Sequence, residues 1–143
     1  MHLVHATCIE IGGHAVLIRG PSGGGKSDLA LRLIDGGAVL VADDQCAVSV
    51  DGGRLFVSPP DTIAGLLEVR GLGIVRLPHC ARAPLALVVD LVPAKEVERL
   101  PEPSSAQLLG VMVPRLALAA LEASAAAKVR LAMLSATRDI MRP

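Results

Sequence analysis

Aromatic side chains are almost absent from this 143-residue chain, which has one phenylalanine, Phe56, and neither tryptophan nor tyrosine. A nucleotide base bound here finds no broad aromatic shelf to stack on, so selectivity among bases is expected to be weak. Cysteine is scarce: Cys8, Cys46 and Cys80 are far apart and form no CxxC pair. That excludes a disulfide framework and points to buried thiols in a reducing cytoplasm. His79 and Cys80 are adjacent, but no second Cys/His cluster completes a metal site with them. Charge of one sign is not in excess, since 14 Lys and Arg stand against 14 Asp and Glu. Without a charged run, neither a nucleic acid nor a membrane surface is an expected partner. The opening Met1-His-Leu-Val-His5 lacks the basic start and long apolar core of a secretory signal. The Ala/Leu-rich stretch 116–137 carries Glu122, Lys128 and Arg130 and so does not read as a membrane span.

The chain is 52% apolar, with the length of one domain that can bury a core. Its clearest feature is Gly20-Pro-Ser-Gly-Gly-Gly-Lys-Ser27, which fits G-x-x-x-x-G-K-[ST] at every fixed position. Gly20, Pro21, Ser22, Gly23, Gly24 and Gly25 form a loop whose backbone N–H groups can turn inward onto phosphate, beside the positive end of the following helix. Lys26 can reach the outer phosphates, and the Ser27 hydroxyl can ligate the Mg²⁺ that accompanies them. The context suits the motif. A strand-like run, His14–Arg19, precedes it. Ser27–Asp35 follows, apolar at 29, 31, 33 and 34, and closes on Gly36-Gly37.

The rest of the chain reads mainly as strands. Residues 2–11 and 14–19 form a hairpin around Gly12-Gly13, 38–42 a buried strand, and 46–50 with 54–58 a second hairpin around Asp51-Gly52-Gly53. Asp61 starts a short helix through Leu67, and an apolar run ends near Leu77. Residues 84–92 form a buried strand, 93–103 a Pro-rich loop, 107–113 a last strand, and 115–136 a long helix. The expectation is a single α/β domain: a mixed sheet with one or two helices packed on it.

Phosphoryl transfer also needs acids. Two strands end in them, at Asp43-Asp44 and at Asp90. A helix followed by a strand parallel to the first returns Asp43-Asp44 to the loop's end of the sheet. Adjacent residues point to opposite sides, so one acid can face the phosphates while the other is structural. Asp90 suits a sheet-edge or capping role. His5 lies on the first strand, at either the catalytic end or the opposite one.

His5-Ala, the phosphate loop, Val41-Ala-Asp-Asp44 and Leu67-Glu-Val-Arg-Gly-Leu-Gly-Ile74 together resemble the catalytic domain of HPr kinase/phosphorylase. The likeness is strong from residue 2 to about residue 100, and it is to the short forms of alphaproteobacteria. It implies a phosphate-loop kinase fold akin to phosphoenolpyruvate carboxykinase, assembled as a homo-oligomer, usually a hexamer. It further implies a cytoplasmic enzyme that uses ATP and Mg²⁺ to phosphorylate a serine of HPr, here a nitrogen-branch HPr. By the same resemblance Lys26 holds phosphates, Ser27 and Glu68 bind Mg²⁺, Asp44 is the base, His5 lies at the active centre and Arg99 matches a catalytic arginine. Glu68, Arg70 and Gly71 belong to the family's signature loop. Where the family has a Pro-Gly-Arg-Asn-type segment tied to dephosphorylation, this chain has Val113-Pro-Arg-Leu116, which leaves phosphorylase activity and metabolite control open. Two further readings of the same loop are a small-molecule kinase and a nucleotide-binding regulator without catalysis.

Overall fold

The computed structural model describes residues 1–136. The chain runs β1 (His2–His5), β2 (Thr7–Ile11), β3 (His14–Arg19), α1 (Lys26–Asp35), β4 (Val39–Ala42), β5 (Gln45–Asp51), β6 (Arg54–Ser58) and β7 (Leu66–Val69). It continues with β8 (Gly73–Arg76), β9 (Ala83–Leu91), β10 (Ser104–Leu108), β11 (Val111–Leu118) and α2 (Ala125–Ala136). Both glycine-marked hairpins form with two-residue loops, Ile11 opposite His14 and Asp51 opposite Arg54. Positive φ at Gly12, Gly13, Gly52 and Gly53 gives each turn the twist that matches its strands.

Among the described residues, nine strands form one mixed sheet and β7–β8 a separate hairpin. β3 lies parallel to β9, and β9 parallel to β11. β2 lies antiparallel between β3 and β4, so β4 runs in the same direction as β3. The C-terminal ends of β3, β4, β9 and β11 therefore share one edge, where the phosphate loop leaves β3 and Asp43-Asp44 leave β4. That is the expected ligand edge of such a sheet.

Alternation along the strands sorts the core onto both faces. Val16, Ile18, Val89 and Leu118 pack against Leu29 and Leu33 of α1 and Val129 and Met133 of α2. Leu17, Val41, Val48, Val57, Val88 and Val113 fill the opposite face, under the curl of β5 and β6. Full burial of a leucine such as Leu29 or Leu33 stabilises by about 2 kcal/mol. The single Phe56 is covered by Arg82, whose guanidinium lies 3.7 Å from the ring centroid.

Several expected elements differ. Residues 2–11 form two strands broken at Ala6, whose N–H donates to the Asp44 carbonyl. β1 then pairs with β5 rather than continuing beside β3. The short helix at 61–67 is only a 3₁₀ turn at Asp61–Ile63, because Gly65, at φ 80°, breaks it and β7 begins. The apolar run after it is the β7–β8 hairpin. The last strand is a hairpin, turning at Leu109-Gly110, both at positive φ. The long helix at 115–136 starts only at Ala125, because residues through Leu118 continue β11. Parallel pairing with β9 overrides the helical propensity of Leu-Ala-Leu.

Asp90 is neither at an edge nor a cap. It lies in β9, flanked by β3 and β11, and accepts hydrogen bonds from Arg19 and Arg115. Burial alone would push its carboxyl up, but the two guanidiniums outweigh that and hold it below the usual carboxylate range. Asp90→Asn would leave two half-buried cations unpaired and is expected to cost about 2 kcal/mol, several degrees of melting temperature. The folded-state value lies below the unfolded one, so this stabilisation is complete above about pH 4. It shrinks once the unfolded chain binds the proton and vanishes as pH falls through the folded value. Stability curves between about pH 5 and pH 2 should therefore fall less steeply for Asp90→Asn than for the wild type; parallel curves would contradict the assignment.

Candidate active site

α1 begins directly at Lys26, with Gly25 as its N-cap. Gly25 has φ 96°, and a Cβ there would stand 2.8 Å from the Ala120 side chain, so no other residue fits without displacing backbone. The loop closes on itself through the Gly24 N–H, which donates to the Pro21 carbonyl at 2.9 Å. Lys26 is buried, and its ammonium donates to the carbonyls of Gly20 (2.9 Å) and Pro21 (3.1 Å).

Asp43 is the buried member of the acid pair. Its Oδ1 accepts from the Ser27 hydroxyl at 2.7 Å and from the Thr7 hydroxyl at 2.9 Å. Its Oδ2 accepts from the Glu68 backbone N–H at 3.0 Å. One carboxylate thus joins β2, α1 and β7. Thr7 escaped the sequence reading, since a threonine in an apolar strand carries no motif.

Asp44 is exposed and 3.2 Å from His5 Nε2. A contact this wet orients its members more than it stabilises the fold. Asp44 has φ 70°, and the Gln45 N–H donates to the Asp43 carbonyl at 2.8 Å across it, which is the rare γ-turn with a positive central φ. This turn aims consecutive acids at different targets. Cys46, just behind, is pushed up to about 12 by burial and by the charges of Asp43 and Asp44, and so stays a neutral thiol. Burial likewise pushes the Cys8 thiol well up.

A cavity of about 560 Å³ gathers these groups. It is lined by His5, Ser22 to Ser27, Asp43, Asp44, Glu68 and Arg70, and also by Asp28, Leu31 and Leu121. Gly20 and Pro21 lie behind it as acceptors for Lys26. Gly71 turns the signature hairpin at φ 92° without lining the cavity. Arg99 is exposed beyond the 3₁₀ turn at Ala94–Glu96 and is not among the lining residues. Arg115, of the segment Val113-Pro-Arg-Leu116, donates to Asp90.

Fold and site together define a phosphate-loop α/β domain. The family model described as HPr Serine kinase C-terminal domain matches residues 1–132, and the chain belongs to that family. HPr kinase/phosphorylase of Geobacillus thermodenitrificans is 39% identical over 128 residues, covering 79% of this chain and 40% of that protein. The Clostridium tetani protein of the same name is 45% identical over 75 residues, 52% of this chain and 25% of its own. The chain thus spans two fifths or less of these relatives. The structure of the Hpr(Ser) kinase/phosphatase from Coxiella burnetii matches with a TM-score of 0.80 at 25% identity, over 97% of this chain and 95% of that one.

The γ-turn generates a prediction. A non-glycine residue at this φ is strained, and alanine lacks the local hydrogen bonding that eases aspartate there. Asp44→Gly should therefore exceed Asp44→Ala in unfolding free energy by about 1 kcal/mol. Denaturant titration of the two variants checks this, and an alanine variant equal to or above the glycine one would mean the turn is relaxed.

Proposed function

We propose that this domain transfers the γ-phosphoryl group of ATP to a seryl hydroxyl of an HPr-type phosphocarrier protein. The observation that carries the reading is that one cavity brings the Asp44 carboxylate and His5 to face a phosphate loop containing Lys26 and Ser27. The names of the relatives and of the matching structure support HPr as the acceptor.

In this reading the loop amides and Lys26 take the β- and γ-phosphates, the ammonium exchanging the carbonyls of Gly20 and Pro21 for phosphate oxygens. Asp44 accepts the seryl proton as the serine oxygen bonds to the γ-phosphorus. The bond to the bridging oxygen breaks, and ADP leaves with the electron pair. His5 holds the Asp44 carboxylate toward the acceptor. In the reverse direction the protonated Asp44 would return that proton.

Mg²⁺ suits the donors present, which are a hydroxyl and carboxylates, hard oxygen ligands throughout. Among the described residues no group of three or more His, Cys, Asp or Glu is arranged to enclose an ion. That composition fits an ion carried in largely by phosphate oxygens and held by Ser27 and Glu68. When bound it would neutralise charge developing between the β- and γ-phosphates. Asp43 would stay a structural acceptor, orienting the Ser27 hydroxyl.

With ATP and Mg²⁺ the protein is expected to move label from the γ-phosphate to a serine of its cognate HPr; folded protein giving no label would overturn the proposal. Asp44→Asn keeps the shape and tolerates positive φ, yet should lower the transfer rate by about 10²-fold or more. A near-normal rate would remove Asp44 from the role of base.

A further inference from the structure

The phosphate loop lies between two different neighbourhoods. Toward β2, β4 and β7 stand His5, Asp43, Asp44, Glu68 and Arg70, with Leu31 packed against Leu67 and Val69 of β7; the lining residue that follows β11 is Leu121, and Arg32 links its segment to Asp28. A nucleoside triphosphate with its terminal phosphate at the acids must extend its ribose and base the other way. The segment waiting there, residues 119–124 between β11 and α2, is firmly held. Arg32 of α1 donates to the carbonyls of Ala120 and Glu122, and Lys128 of α2 pairs with the Glu122 carboxylate at 2.6 Å. Ala120 also abuts Gly25 of the loop.

On this anchored backbone Leu121 is 89% exposed. A lone exposed leucine on a surface needs no explanation. This one lines the phosphate-loop cavity, in a chain whose only aromatic residue lies elsewhere, beneath Arg82. We propose that Leu121 is the platform on which the base of the bound nucleotide rests, and that the site therefore recognises the triphosphate while discriminating weakly among bases. An aliphatic surface covers any base face equally. The nearby carbonyls of Ala120 and Glu122 already accept from Arg32, and the Asp28 carboxylate is engaged by Arg32 at 3.1 Å. Few groups remain to read the exocyclic amine that separates adenine from guanine.

The inference rests on the nucleotide reading of the loop, and the test separates the two. Binding of ATP, GTP and inorganic tripolyphosphate, each with Mg²⁺, is measured by calorimetry for the full chain and for Leu121→Ala; exposure at this position leaves the fold intact, which a melting curve verifies. Wild type should bind ATP and GTP within about three-fold of each other. Leu121→Ala should weaken both about five- to ten-fold while leaving tripolyphosphate unchanged. Unchanged nucleotide binding in Leu121→Ala, equal weakening of tripolyphosphate, or an ATP preference well beyond ten-fold would each overturn the platform while leaving the phosphate site standing. Failure of the wild type to bind both ATP and tripolyphosphate would remove the nucleotide reading itself.

Discussion

The carboxylate of Asp43 is the junction on which the candidate site depends. It is buried and surrounded by donors from three elements, the hydroxyls of Thr7 and Ser27 and the N–H of Glu68. A buried acid with this set of donors is satisfied only while all three remain in place, since an unpaired partner would bear a large desolvation cost. The same contacts fix the register between the start of α1, the β2 strand and the signature hairpin. The phosphate loop, the Ser27 hydroxyl and Glu68 therefore keep their spacing. Pre-organisation of this kind is what electrostatic catalysis of phosphoryl transfer requires.

A second carboxylate performs a comparable task deeper in the sheet. Asp90 draws Arg19 of β3 and Arg115 of β11 onto β9, and Arg19 immediately precedes Gly20. Arg19 is itself held more firmly protonated by the Asp90 hydrogen bond, even though partial burial works against it. The chain is neutral overall, yet its charges are sorted. Paired ions brace the parallel strands that launch the phosphate loop, while Asp44 stays wet at the cavity.

What could be read from sequence was whatever local geometry enforces. The phosphate loop, its helix and the two hairpins with paired glycines were legible because glycine at positive φ and the Lys-Ser ending have few other uses. The direction of β4 was legible too, since a helix crossover leaves little choice, although β2 intervening between β3 and β4 was not. Leu109-Gly110 went unread as a turn because leucine seldom adopts positive φ. The second half of β11 reads as helix because Leu116-Ala-Leu118 has the composition of one, and only pairing to β9 makes it a strand. Asp90 was misplaced for a related reason, as its partners Arg19 and Arg115 are 71 and 25 residues away. No local pattern announces such a pairing.

The two neighbouring acids divide their labour through backbone, not composition. Had β4 simply continued, Asp43 and Asp44 would have alternated across the sheet, one inward and one outward. Instead the chain turns within three residues, holding Asp44 at φ 70° between the Gln45-to-Asp43 hydrogen bond and the Ala6 N–H on its own carbonyl. Such a conformation costs of order 1–3 kcal/mol and persists only where surrounding contacts impose it. Here the imposed geometry leaves one carboxylate saturated with donors and the next with lone pairs free toward the cavity and His5 beside it. A saturated carboxylate is committed to its donors, whereas an open one keeps lone pairs that can accept from a substrate hydroxyl. In the proposed reaction, the strain at position 44 lies at the group that would receive the seryl proton.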